Sequence, residues 1–133
     1  MDSADLEQRG LGRWLRFNPD SEGAVLATLP TTPGVFAVRR ERPYARVHGQ
    51  SDIVYVGVGA NRNGLKTRVQ QCYHPGPTQA TNQRILEAIS GPDEYELSWV
   101  ECQDKADAED LDEEILLTYL KEHGELPPLR RRV

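Results

Sequence analysis

The stretch Asp52–Gly59, DIVYVGVG, constrains this chain more than any other. Ile53, Val54, Tyr55, Val56 and Val58 are β-branched or aromatic, and such side chains fill a buried pleated strand better than a helix. A second run of the same character, Gly34–Val38 (GVFAV), precedes it, with Pro43 and Gly49 in the connector. This order predicts an antiparallel pair joined by a long basic loop over residues 39–50. Under strict alternation, Val54, Val56 and Val58 face one side of the sheet, and Ile53, Tyr55 and Gly57 face the other. Tyr55 then leaves its strand beside a glycine that has no side chain to cover it.

The rest of the chain is read around that pair. Leu6, Leu11, Trp14, Leu15 and Phe17 follow a loose helical spacing, so residues 1–28 are expected to be an N-terminal helix and connector. They would pack on a domain filling 29–133, and 133 residues suit one such unit. After the turn Ala60–Gly64, a helix from Leu65 carries Leu65, Val69 and Cys72 on one stripe, with Arg68 at its edge. Pro75-Gly76-Pro77 ends it. Thr81 is placed to cap a helix through Ile89, and Tyr95–Cys102 alternates as a third strand. Lys105–His123 reads as a closing helix, with Gly124 as its C-terminal cap. The expected fold class is α+β, a small three-stranded antiparallel sheet flanked by helices.

One position in the closing helix departs from its pattern. Ala108, Leu111, Ile115 and Tyr119 form the apolar stripe, and Asp112 falls inside it beside Leu116. Burying even a neutral polar group without a partner costs roughly 2–7 kcal/mol. Asp112 therefore needs a counter-charge, water or a bound cation.

Charge is distributed unevenly. The formal net charge is −5, yet Phe36–His74 holds seven basic side chains against two acidic ones. Asp93–Glu125 holds thirteen acidic against two basic. A cationic face and an anionic flank result, the first suited to phosphate. Arg39, Arg62 and Lys66 are the phosphate-contact candidates within that face. No run of 18 apolar residues and no apolar leader appears, so the sequence predicts a cytoplasmic protein with no membrane partner. Cys72 and Cys102 lie far apart without zinc spacing and read as ordinary thiols.

The triplets Gly34-Val35-Phe36 and Tyr55-Val56-Gly57 resemble the two signature triplets of the GIY-YIG nucleases. The later segments are similar in their order too: Arg68 in GLKTRVQQCYH, a carboxylate in AEDLDEEILLTY, and then Leu126-Pro127-Pro128-Leu129. The resemblance covers roughly Leu29–Arg130. It implies a metal-dependent endonuclease acting on nucleic acid, DNA first, with one Mg²⁺ or Mn²⁺ as cofactor. Such an ion needs few protein carboxylates and holds the leaving oxygen. By resemblance Asp112 is the metal ligand, with Glu113 as the competing register. Tyr55 would then be the water-activating or metal-water-contacting hydroxyl, Arg68 the phosphate clamp through its planar donor fork, and His74 a proton relay or phosphate contact. Three positions depart from the family: Phe36 replaces a signature tyrosine, Asp112 shortens the acid, and Arg130, a further phosphate contact, stands in place of an asparagine. The alternative is a catalytically degenerate nucleic-acid-binding or regulatory module on the same scaffold. A protein-interaction role for the acidic helix 104–114 is a third reading. No appended reader segment is visible, so the expectation is structure-directed or weakly specific cutting, a homodimer, or a separate targeting protein.

Overall fold

The computed structural model describes residues 1–133. In chain order the elements are α1 (Ser3–Glu7), β1 (Leu15–Arg16), a 3-10 turn (Pro19–Ser21), α2 (Glu22–Thr28), β2 (Gly34–Ala45) and β3 (Gln50–Gly59). They continue with α3 (Gly64–Tyr73), α4 (Ala80–Ile89), β4 (Tyr95–Glu101) and α5 (Lys105–His123). All strand pairs are antiparallel, in the order β1-β4-β2-β3. The sheet thus has four strands, one more than the sequence predicts. The extra strand is only two residues long, Leu15 and Arg16 against Leu97 and Glu96, too short for alternation to reveal.

Apolar side chains cover both faces. On one face Phe36, Val38, Tyr95 and Leu97 pack with Leu65, Val69 and Cys72 of α3 and Ile85 and Ile89 of α4. On the other, Val35, Ala37, Ile53 and Val56 meet Leu6 of α1 and Ala108, Ile115, Leu116 and Tyr119 of α5. This gives three layers with the sheet in the middle.

Strict alternation fails in β3, and the reason is a bulge. Val38 pairs with Tyr55 but the next residue, Arg39, pairs with Ile53, so Val54 is an extra residue on β3. An inserted residue of this kind reverses the facing of everything on one side of it. Ile53 accordingly shares a face with Val56, while Val54 joins Tyr55 on the other. The predicted long loop is also mostly strand: Tyr44 pairs with Ser51 and Ala45 with Gln50, leaving a turn over 46–49. Arg40 and Arg42 hold this extension by pairing with Asp93.

The predicted opening helix stops early. α1 ends at Glu7, and the chain reverses at Gly10, whose φ of +98° suits glycine. Asn18 caps the turn that leads into α2, its side chain accepting from the Asp20 amide at 2.9 Å. The other predicted elements lie within a residue or two of the observed ones, and α5 ends at Gly124 with φ of +74°.

Candidate functional site

β3 is an edge strand, and the segment after α5 runs along it. The Leu129 amide donates to the Val54 carbonyl at 3.0 Å. Arg130 Nη1 donates to the Val56 carbonyl at 2.7 Å. Arg46 anchors the start of this strap, donating from Nη2 to the Leu126 carbonyl at 2.8 Å and pairing with Glu125 at 2.6 Å. The strap brings groups from both faces of the sheet to one edge.

On the α3 side of that edge stands Tyr55. Its ring lies 5.7 Å from that of Phe36, and both rest where Gly57 has no side chain. A Cβ at Gly57 would fall 2.6 Å from Tyr55 Cε2 and 3.0 Å from Phe36 Cε1, so only glycine permits this placement. Arg68 is turned toward Tyr55 from the edge of the α3 stripe. Its Nη2 donates to Tyr55 Oη at 3.0 Å, and its Nη1 donates to Asn82 Oδ1 at 2.6 Å and to Cys72 Sγ at 3.5 Å. A guanidinium has five N–H donors, so two remain for a ligand. Asn82 is itself fixed, donating to Gln79 Oε1 at 3.1 Å. Burial pushes the Cys72 thiol up, against the pull of Arg68, which keeps it a neutral thiol rather than a nucleophile.

On the α5 side stands Asp112. It is 7% exposed, in agreement with its place in the apolar stripe, whereas Glu113 points to solvent. Both Asp112 oxygens are taken by Arg130, Nη1 to Oδ1 and Nη2 to Oδ2, each at 3.2 Å. Burial raises the Asp112 carboxyl above the ordinary aspartate range and the Arg130 charge opposes that rise. Arg130 also lies 6.0 Å from the Tyr55 ring centroid and so joins the two halves of the site. Two open hollows of about 450 and 370 Å³ meet at Tyr55 and Thr81. Arg68 and Asn82 line the first, and Arg130, Arg131 and Arg132 line the second.

The structure therefore brings together Tyr55, Arg68, Asp112 and Arg130. It places the other candidates elsewhere. His74 is exposed at the end of α3, with Nε2 2.6 Å from Glu22 Oε2 on α2. Arg39 packs over the Trp14 ring at 4.2 Å and pairs with Glu96 at 2.8 Å, next to Ser3 of α1. Arg62 lines a small hollow at the β3–α3 turn with Asn61 and Thr67, a hollow that Arg68 also borders. Lys66 is half-buried in the first turn of α3, and its amide is spent on the Pro30 carbonyl.

Sequence reasoning missed Asn82. Its signal was present: Asn82, Ile85 and Ile89 share the i, i+3, i+7 stripe of α4, so an amide sits where an apolar residue is expected.

A divalent ion does not fit this arrangement. The one inward carboxylate has both oxygens on a guanidinium, and a cation placed there would face the Arg130 charge. No family model, curated protein or solved structure matches this chain.

Proposed function

We propose that this chain is a GIY-YIG-like nucleic-acid-binding domain that grips the phosphodiester backbone in the cleft at the β3 edge. The observation that carries the reading is Arg68. Its guanidinium is held by Asn82 and Tyr55 at the head of an open hollow, with two donors left over. A planar donor fork fixed in this way matches the oxygens of a phosphate. Arg131 and Arg132 extend the positive charge along the adjoining hollow, a backbone-tracking arrangement rather than a base-reading one. The deep negative flank of α5 lies behind the sheet and does not oppose this face.

Hydrolysis is the second reading, and one observation favours it: Tyr55, Arg68 and Asp112, the residues that the resemblance implies for Mg²⁺- or Mn²⁺-dependent cleavage, meet around one strand edge. The closed Asp112–Arg130 pair favours binding instead. Cutting a phosphodiester demands excess positive charge at the reacting oxygens. An aspartate with a divalent ion carries +1, whereas an aspartate with arginine carries none.

The test is anisotropy of labelled single- and double-stranded DNA and RNA oligonucleotides across a salt series, beside a cleavage assay with Mg²⁺ or Mn²⁺. Binding that weakens steeply with salt, without cleavage, is the expected result. Salt-independent binding, or none at low salt, overturns the proposal. Metal-dependent cutting lost in Asp112→Asn moves the conclusion to the second reading.

A further inference from the structure

Arg130 is the most heavily engaged cation in the molecule. Its Nε donates to the Arg132 carbonyl at 2.6 Å, its Nη1 to Val56 and Asp112, and its Nη2 to Asp112. Four of the five guanidinium donors are thereby used, and Arg130 lines the hollow beside Tyr55. Its side chain is 17% exposed and that of Asp112 is 10%, so the pair is sheltered, with Arg130 lining the ligand hollow and Asp112 directly behind it. A buried carboxylate needs a cation, and here the chain supplies that cation from its own sequence.

We infer that Arg130 is a built-in cation that takes the place of a divalent ion at Asp112, making ligand binding at this cleft independent of metal. The ligand half of this inference rests on the phosphodiester-binding reading; the metal half does not. Arithmetic of charge gives its sharpest consequence. With Arg130 present the pair is neutral and leaves Arg68 and Arg131 free to attract phosphate. Without it, Asp112, 3.2 Å behind the Arg130 position, stands as an uncompensated anion near the cleft and repels phosphate. A divalent ion then has both a vacant carboxylate and a reason to bind, and it returns the local charge to positive. Removing one arginine therefore converts a metal-independent site into a metal-dependent one.

Two measurements on the full chain test this. The first uses Mn²⁺ alone, read by electron paramagnetic resonance and calorimetry with no nucleic acid present. Wild type takes up no ion at Asp112, Arg130→Gln and Arg130→Ala each take up one, and the double variants carrying Asp112→Asn take up none. The second measures Kd for a labelled oligonucleotide in EDTA and in Mn²⁺. Wild type gives the same Kd in both. Arg130→Gln weakens by at least about tenfold in EDTA and recovers with Mn²⁺, since the exposed acid must be neutralised.

Gln keeps an amide donor near the position of the Arg130 Nε, which serves the Arg132 carbonyl, and circular dichroism with urea melts verifies that both variants stay folded. If Arg130→Ala unfolds, Arg130→Gln carries the test; if both unfold, the wild type still decides it. Mn²⁺ uptake by wild type that Asp112→Asn abolishes overturns the inference, as does a wild-type Kd that EDTA raises. Uptake confined to the Arg130 variants, with no oligonucleotide binding by any form, upholds the cation assignment and refutes the phosphodiester reading.

Discussion

Replacing Arg68 with alanine strikes the group on which the functional reading depends. Arg68 donates to Oδ1 of Asn82, a residue only 5% exposed, and without it that oxygen keeps only the Cys72 thiol at 3.8 Å. Orphaning such an acceptor costs about 1–3 kcal/mol. Loss of the guanidinium from above the Phe36 ring, 5.2 Å away, adds about 0.5–1 kcal/mol. Arg68 is itself partly exposed, so water reaches the vacated space and the total falls near 1.5–3 kcal/mol. A domain of this size has about 5–15 kcal/mol in hand, and Arg68→Ala stays folded. Ligand binding loses a charge-assisted contact worth about 1.5–3 kcal/mol, or about 10- to 150-fold in Kd. Its salt slope falls by about one. Arg68→Lys restores the slope but not the full affinity, because an ammonium cannot reach Asn82, Tyr55 and a phosphate together. Urea titration and oligonucleotide anisotropy read the two effects separately. A folded Arg68→Ala with wild-type Kd and slope would refute the placement of the cleft.

Three further perturbations test the geometry. Gly57→Ala drives a methyl into Tyr55 and Phe36 and is expected to cost about 1–3 kcal/mol in a urea melt, with weakened oligonucleotide binding, whereas a neutral effect would show that the rings are not fixed there. Asp112 has a folded pKa raised by burial above its ordinary 3.8, so the folded chain holds this proton more tightly than the unfolded one. Stability from this group is greatest below 3.8 and declines as pH rises through the raised value; Asp112→Asn loses that slope, which paired melts across acidic pH will detect. His74→Gln breaks only the exposed contact with Glu22 and leaves oligonucleotide affinity within about twofold, and a larger loss would place His74 in the cleft after all.

Much of this fold was legible because its signals are local. The β-branched run 53–58, the alternation of Tyr95, Leu97 and Trp99, and the cap at Gly124 each arise from neighbours in sequence, and each element formed as read. The bulge at Val54 was not legible, since its cause is the register between two strands. Strand β1 escaped for a similar reason, as Leu15 and Arg16 become a strand only when Leu97 and Glu96 lie beside them. In the site, Asp112 announced itself as a carboxylate on an apolar stripe. Its partner did not, because Arg130 reaches it by way of a strap along the sheet edge that no periodicity encodes. The ion pair of Arg39 was not legible either, because its counter-ion, Glu96, is fifty-seven residues away in sequence.

The strap along β3 also governs how this molecule behaves in a crowd. An uncovered edge of aromatic and β-branched residues offers carbonyls and amides to any passing extended chain, the beginning of intermolecular sheet growth. Leu129 and Arg130 occupy the carbonyls of Val54 and Val56, in the middle of the most strand-prone stretch. Damage to the strap therefore does more than disarm the cleft. It unmasks a seed for aggregation, so the same few residues guard colloidal stability and ligand grip together, and variants selected for solubility will tend to keep them.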